Sequence, residues 1–254
     1  PPRSTLFPYT TLFRSGQPAY GVISTSDDPQ LAELLGLAGF DYYMLDAEHG
    51  LINPTQAVNV IRACELTKMT PLVRIGSKDP KLVLQYLDAG MMGVMMPDLR
   101  NVDEIKMLVD AVKYPPIGKR GVGISRASSY MAYGSEAPKY LEFANEQTMV
   151  IPQFEDPALL NDFEKMISQP HVDAVMIGPR DLSLNMGFPD GPNHPEVQEM
   201  IEKVISICKK ANVSAGITAG TKADSDKQVA RGATMILGIA QVLILNGSKE
   251  FLSK

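Results

Sequence analysis

From Gly16 onward the chain alternates short, continuously apolar segments with longer amphipathic ones, and it does so eight times. The apolar segments are Tyr20–Ser24, Asp41–Asp46, Pro71–Ile75, Gly93–Pro97, Thr148–Gln153, Ala174–Gly178, Ser214–Thr218 and Thr234–Gly238. Short, rich in β-branched residues and mostly without a polar face, they predict parallel strands covered on both sides. The segments between them predict helices at Asp28–Ala38, Pro54–Leu66, Pro80–Ala89, Val102–Val112, Pro157–Ser168, Pro195–Ala211 and Lys222–Arg231. Several open with a polar residue before proline (Asn53-Pro54, Asp79-Pro80, Asp156-Pro157). There the side chain can cap the first turn and the ring presets its backbone angle. Others leave through Ala-Gly or Arg-Gly steps at 38–39, 89–90 and 231–232, as helix exits do. This regular alternation predicts an α/β protein built as a (β/α)8 TIM barrel, with a doubly wound sheet as the alternative.

The one interruption is Asp98–Gln147, between the fourth and fifth strands, which reads as one helix followed by a Gly/Ser/Tyr-rich loop. Long loops in compact domains are usually functional. No linker or low-complexity tract appears, so residues 16–254 are expected to form one domain. Residues 1–15, PPRSTLFPYTTLFRS, stand apart. They have no initiator Met, lack the apolar core of a signal peptide, and carry the near-repeat STLF…TTLF, like translated sequencing-adapter read-through. They are expected not to belong to the evolved protein and to have no ordered packing.

Composition narrows the function. With 24 Lys+Arg against 29 Asp+Glu, the net charge of −5 and the lack of a basic stripe argue against nucleic acid or an acidic membrane as partner. No apolar run is long enough to span a bilayer. Cys64 and Cys208 lack metal-ligand spacing and read as buried small residues of a protein in a reducing, cytoplasmic compartment. The many methionines, clustered around the fourth strand, read as core filler.

In a barrel, chemistry collects at the carboxyl ends of the strands. After the second strand come Asp46, Ala47, Glu48 and His49, where His49 could be a general base oriented by Asp46, or a loop histidine satisfied by a neighbour. Arg74 ends the third strand, and its planar fork suits a carboxylate or phosphate, or pairs with Asp46 or Glu48. Glu155 follows the fifth strand and is not explained as a cap, unlike its neighbour Asp156. Asp181 follows the sixth, where it could equally be a helix cap. Together Glu155 and Asp181 would give a divalent cation two hard oxygen ligands and leave coordination positions open. His171 and His194 are not expected in catalysis, and GKRGVG at 118–123 lacks the form of a nucleotide loop.

The chain resembles the HpcH/HpaI family of metal-dependent (class II) 2-oxo-acid aldolases. The resemblance rests on GFDYYMLDAEH at 39–49, PLVRI at 71–75, YPPIGKRGVG at 114–123, QFE at 153–155, IGPRDLSLNMG at 177–187 and NHPEV at 193–197. It implies a pyruvate-type barrel that reversibly cleaves a 4-hydroxy-2-oxo acid to pyruvate and an aldehyde with Mg²⁺, Mn²⁺ or Co²⁺. It further implies Glu155 and Asp181 as metal ligands, Arg74 on the pyruvate carboxylate and developing enolate, and His49 as the base. Gln153, Gly178, Pro179 and Arg180 would line the oxo-acid end. Such proteins are similar in swapping their last barrel helix between protomers and in forming hexamers as trimers of dimers. The chain departs from the family's pattern after the eighth strand, at Gly238-Ile239-Ala240-Gln241, and at Thr218. Two other readings stay open: a related lyase of malyl- or citramalyl-type thioesters, with Lys119, Arg120 and Arg126 as candidate phosphate contacts, and a barrel without turnover.

Overall fold

The structure, a computed structural model, describes residues 16–132 and 137–253. Among these, eight parallel strands close into a barrel in simple sequential order, with β8 returning to β1. They are β1 (Ala19–Ser24), β2 (Tyr42–Asp46), β3 (Thr70–Arg74), β4 (Gly93–Met96), β5 (Met149–Phe154), β6 (Ala174–Ile177), β7 (Ser214–Thr218) and β8 (Met235–Ile239). Each of the eight predicted strands is present, and the doubly wound alternative is excluded by the closed ladder. The helices are α1 (Pro29–Leu37), α2 (Pro54–Thr67), α3 (Pro80–Ala89), α4 (Val102–Val112), α5 (Ala137–Gln147), α6 (Leu160–Ile167), α7 (Pro179–Asn185), α8 (Pro195–Lys210), α9 (Lys222–Arg231) and α10 (Ala240–Phe251). No described helix is long and apolar enough to cross a membrane.

Local chemistry sets the helix ends. Asp28 and Asp79 accept from the backbone N–H groups of Gln30 and Lys81, each with proline at the first helical position. Asn53 and Gln56 form a reciprocal capping box at the start of α2. Gly90 and Gly232 end α3 and α9 at φ of 119° and 105°, a left-handed exit that side chains resist.

Two apolar layers result. The larger lies between strands and helices; the smaller fills the lumen, with Ile23, Tyr42, Met44, Leu72, Met95, Met149, Ile151, Met176, Met235 and Leu237 among its members. Side chains alternate along a strand, so the lumen-facing rows of Tyr42 and Met44, of Leu72, and of Met149 and Ile151 run on to Asp46, Arg74 and Gln153. The same inward rows that are apolar through the barrel therefore turn polar at its carboxyl end.

The long 98–147 segment differs from expectation. After α4 the chain makes a loop with a short 3-10 turn at Ser129–Met131, and then a second helix, α5. Asn145 anchors α5 by accepting from the Tyr114 N–H at 2.6 Å and donating to its carbonyl at 3.1 Å. Tyr140 meets the Tyr114 ring edge-on at 6.1 Å. These long-range bonds leave no trace in local periodicity. The expectation for residues 1–15 lies outside the described residues.

Lumen packing gives a direct test. A Cβ on Gly21 would lie 2.1 Å from the ring of Tyr42, which is fully buried and donates to the Ile236 carbonyl at 2.8 Å. The ring is held at both ends and cannot yield cheaply. Gly21→Ala is expected to destabilise the barrel by about 2 kcal/mol or more, lowering Tm by roughly 4–8 °C in calorimetry.

Candidate active site

Parallel register brings the first two site residues together, because Asp46 on β2 is the direct partner of Arg74 on β3. Arg74 donates from Nε to Asp46 Oδ1 at 2.9 Å and from Nη2 to Oδ2 at 2.6 Å. Glu48 Oε2 lies 3.1 Å from the same Nε. These contacts use the Nε–Nη2 edge of the guanidinium, and the Nη1 corner takes no part in them. Paired charge outweighs burial here and holds the guanidinium even more firmly protonated than usual.

This arrangement corrects one expectation. Asp46 does not orient the His49 imidazole; it accepts from the backbone N–H groups of Glu48 and His49 at 3.2 and 3.3 Å. With both oxygens committed to a bidentate guanidinium, its capacity goes to the turn that carries His49 rather than to the ring. The imidazole is exposed, with Nε2 3.9 Å from Glu48 Oε2. Glu48, which the sequence offered only as a possible partner of Arg74, is thus the carboxylate beside both Arg74 and His49. Its position two residues after Asp46 was the available signal.

Glu155 leaves β5 with both oxygens held. Oε1 accepts from the Asp98 N–H at 2.6 Å, and Oε2 from Gln153 Nε2 at 2.6 Å. Asp98 reaches it from a left-handed backbone conformation, φ 52°, that non-glycine residues seldom adopt. Asn185 on α7 donates to the Glu155 carbonyl at 2.8 Å and so fixes the helix bearing Asp181 against the end of β5. Asp181 lies in the first turn of α7 behind Gly178 and Pro179, and is not its cap. Gly178 lets the backbone pack against both side chains: a Cβ there would fall 2.7 Å from Gln153 Nε2 and 3.0 Å from Glu155 Oε2 and would have to push their ends aside. Burial pushes the Glu155 carboxyl above its ordinary range, and the charges of Asp181 and Glu48 add to this, against the Asp98 N–H and Arg74. Burial likewise raises Glu48, opposed by Arg74 and His49.

Two adjoining clefts meet at this point. One, of 420 Å³, is lined by Asp46, His49, Arg74, Gln153, the 178–181 turn and residues of β7, β8 and β1. The other, of 430 Å³, is lined by Glu48, His49, Asp98, Arg100, Glu155 and Asp181, among others. His49 and Asp181 belong to both. All nine residues expected from the sequence therefore lie at one barrel mouth. His194 instead caps α8 and stacks on Phe188 with ring centres 3.7 Å apart.

Among the described residues no group of three or more His, Cys, Asp or Glu side chains is placed to share a metal ion. The donor set still fits one hard divalent cation. Two carboxylates, Glu155 and Asp181, face a common cleft and repel each other enough to contribute to the raised Glu155 pKa. The buried Gln153 Oε1 beside them has no hydrogen-bond partner among the described residues.

The model of the HpcH/HpaI aldolase/citrate lyase family matches residues 20–244. The chain belongs to that family. It is 32% identical over 244 residues to a 4-hydroxy-2-oxo-heptane-1,7-dioate aldolase of Salmonella typhimurium, spanning 95% of this chain and 91% of that protein. An HpcH/HpaI aldolase/citrate lyase family protein of Burkholderia cenocepacia superposes with TM-score 0.90 at 28% identity, covering 96% of this chain and 97% of the other. An HpcH/HpaI aldolase of Desulfitobacterium hafniense gives 0.84 at 27%, covering 93% of each. The family member described here is accordingly an enzyme, a carbon–carbon lyase acting on small molecules.

The raised Glu155 carboxyl carries a pH prediction. A carboxylate with a raised folded-state pKa destabilises the fold above that pKa, and the penalty disappears as pH falls through it. In chelator-treated protein, Glu155→Gln is expected to melt above wild type at pH 7, with the gap closing as pH falls toward 4.5 in parallel thermal scans. The unpartnered Gln153 Oε1 can turn to accept from the new amide.

Proposed function

We propose that this family member is a divalent-metal-dependent pyruvate aldolase, cleaving a 4-hydroxy-2-oxo acid to pyruvate and an aldehyde. The observation that carries this is the convergence of a guanidinium, two cation-type carboxylates and an imidazole around two adjoining clefts that share His49 and Asp181. The substrate in the name of the Salmonella relative, a 4-hydroxy-2-oxo acid, supports the same class. Glu155 and Asp181 would hold the cation. When bound, it would supply Lewis-acid polarisation of the substrate's keto oxygen.

The chain's own groups account for the rest. The Nη1 corner of Arg74, without a bond among the described residues, would take the substrate carboxylate, and the guanidinium is already oriented by Asp46 and Glu48. His49 takes the proton of the C4 hydroxyl. The C3–C4 bond then breaks, its electrons moving into the C2–C3 enolate, and the aldehyde leaves. Negative charge growing at that end is stabilised by the preorganised Arg74. Protonation at C3 gives pyruvate, and condensation is the reverse. Gln153 holds Glu155 and presents Oε1 to whatever donor enters. The 178–180 backbone packs close because residue 178 is glycine.

The thioester-lyase alternative also fits the family description, which includes citrate lyases, although each of its candidate cations already has an acidic partner. Lys119 pairs with Asp110 at 2.5 Å, the buried Arg120 pairs with Asp88 at 3.0 Å and lies over the Tyr114 ring, and Arg126 pairs with Glu65. The outward apolar face of α10, with Ile244, Leu245 and Phe251 exposed, supports the expectation of a homo-oligomer.

Metal-stripped protein is expected to release no pyruvate from 4-hydroxy-2-oxo acids, and to recover with added Mn²⁺, Mg²⁺ or Co²⁺ in a coupled pyruvate assay. Glu155→Ala should stay inactive with every metal. Turnover in the stripped protein, or in the variant, would sink the proposal. His49→Asn is expected to lower kcat by about 10²–10⁴ with a much smaller change in KM, measured by steady-state kinetics.

A further inference from the structure

The cleft that holds Arg74, Gln153 and Asp181 continues to the β8–β1 seam, where Thr25, Thr218 and Gln241 line it. β1 and β8 pair directly and lie across the closed barrel from β5, which delivers Glu155. Gln241, in the first turn of α10, donates from Nε2 to Thr25 Oγ1 at 2.8 Å and so bridges the seam. Gln241 Oε1 and the Thr218 hydroxyl have no bond among the described residues.

Charge is missing from this wall. The guanidinium groups lining the cleft are Arg74, engaged by Asp46, and Arg180, which starts α7 beside Asp181 and donates from Nη1 to the Pro189 carbonyl at 3.2 Å. The adjoining cleft is no more hospitable to an anion. Its Arg100 is clamped by Asp98 at 2.9 Å, and Glu48 and Asp156 are among its other walls.

We infer that the Thr25–Gln241 seam receives the aldehyde end of the substrate and selects an uncharged, hydroxylated aldehyde over one with a second carboxylate. This rests on the pyruvate-aldolase reading: with the oxo-acid end at Arg74, Glu155 and Asp181, the remainder of the substrate extends toward the opposite wall. A hydroxyl there finds an amide oxygen to donate to and hydroxyls to accept from. A carboxylate on the seam would give up water without a cation there, since the cleft's guanidinium groups stand on β3 and α7. A site that hydrogen-bonds a substrate hydroxyl discriminates strongly against analogues that lack it. The preference thus departs from the dicarboxylic substrate in the name of the Salmonella relative.

The test compares specificity constants for pyruvate addition to glyceraldehyde, propionaldehyde and succinic semialdehyde with the Mn²⁺-loaded enzyme. Wild type is expected to favour glyceraldehyde over succinic semialdehyde by about tenfold or more. Gln241→Leu should lower the glyceraldehyde-to-propionaldehyde ratio by about tenfold, the value of one lost hydrogen bond. Gln241→Arg should raise succinic semialdehyde relative to glyceraldehyde. A wild-type preference for succinic semialdehyde, or a Gln241→Leu loss equal for all three, overturns the inference. Deuterium exchange into the pyruvate methyl group needs no aldehyde. Exchange with the wrong aldehyde preference removes only the seam's role, whereas neither exchange nor turnover with any aldehyde removes the pyruvate-aldolase reading as well.

Discussion

The paired charges of Asp46 and Arg74 organise the barrel mouth. They stand opposite each other on neighbouring strands, so the sheet's own hydrogen-bond ladder fixes their separation. A bidentate guanidinium–carboxylate pair has one good geometry, and an uncompensated charge at this depth would be expensive. From that pair the rest follows outward. Asp46 ties down the turn that carries Glu48 and His49, and Glu48 adds a second charge at Arg74. What results is a guanidinium held in one orientation through its Nε–Nη2 edge.

On the far side the same logic uses neutral donors. Glu155 is held by a backbone N–H from Asp98 and by the amide of Gln153, neither of which cancels its charge. Asp181 is brought beside it by α7, tied down through Asn185. Around Arg74 the carboxylates of Asp46 and Glu48 share one guanidinium, whereas Glu155 and Asp181 have no ion pair among the described residues.

Much of the fold was legible because parallel strands covered on both faces must be continuously apolar, and the helices between them announce their ends with proline, Asp or Asn caps and glycine. Asp28, Asn53 and Asp79 cap as their sequence predicts. Helix α5 was missed because what holds it is remote: Asn145 against the backbone of Tyr114. Asp181 was ambiguous for a related reason, since an acidic residue in a helix's first turn looks the same whether it caps the helix or faces a cleft.

The sequence by itself determined the eightfold alternation, the strand ends at which polar residues interrupt apolar rows, and the family to which those motifs point. Residue type and spacing carry that information because strand and helix periods are local properties of the chain. Only the tertiary structure decided that Asp46 serves Arg74 and the His49 backbone rather than the imidazole, and that Glu48 joins them. It alone set Asp98 against Glu155 and Gln241 against Thr25, bonds that join residues 57 and 216 positions apart. Those partnerships depend on barrel closure and register, which place side chains within bonding distance regardless of their separation along the chain.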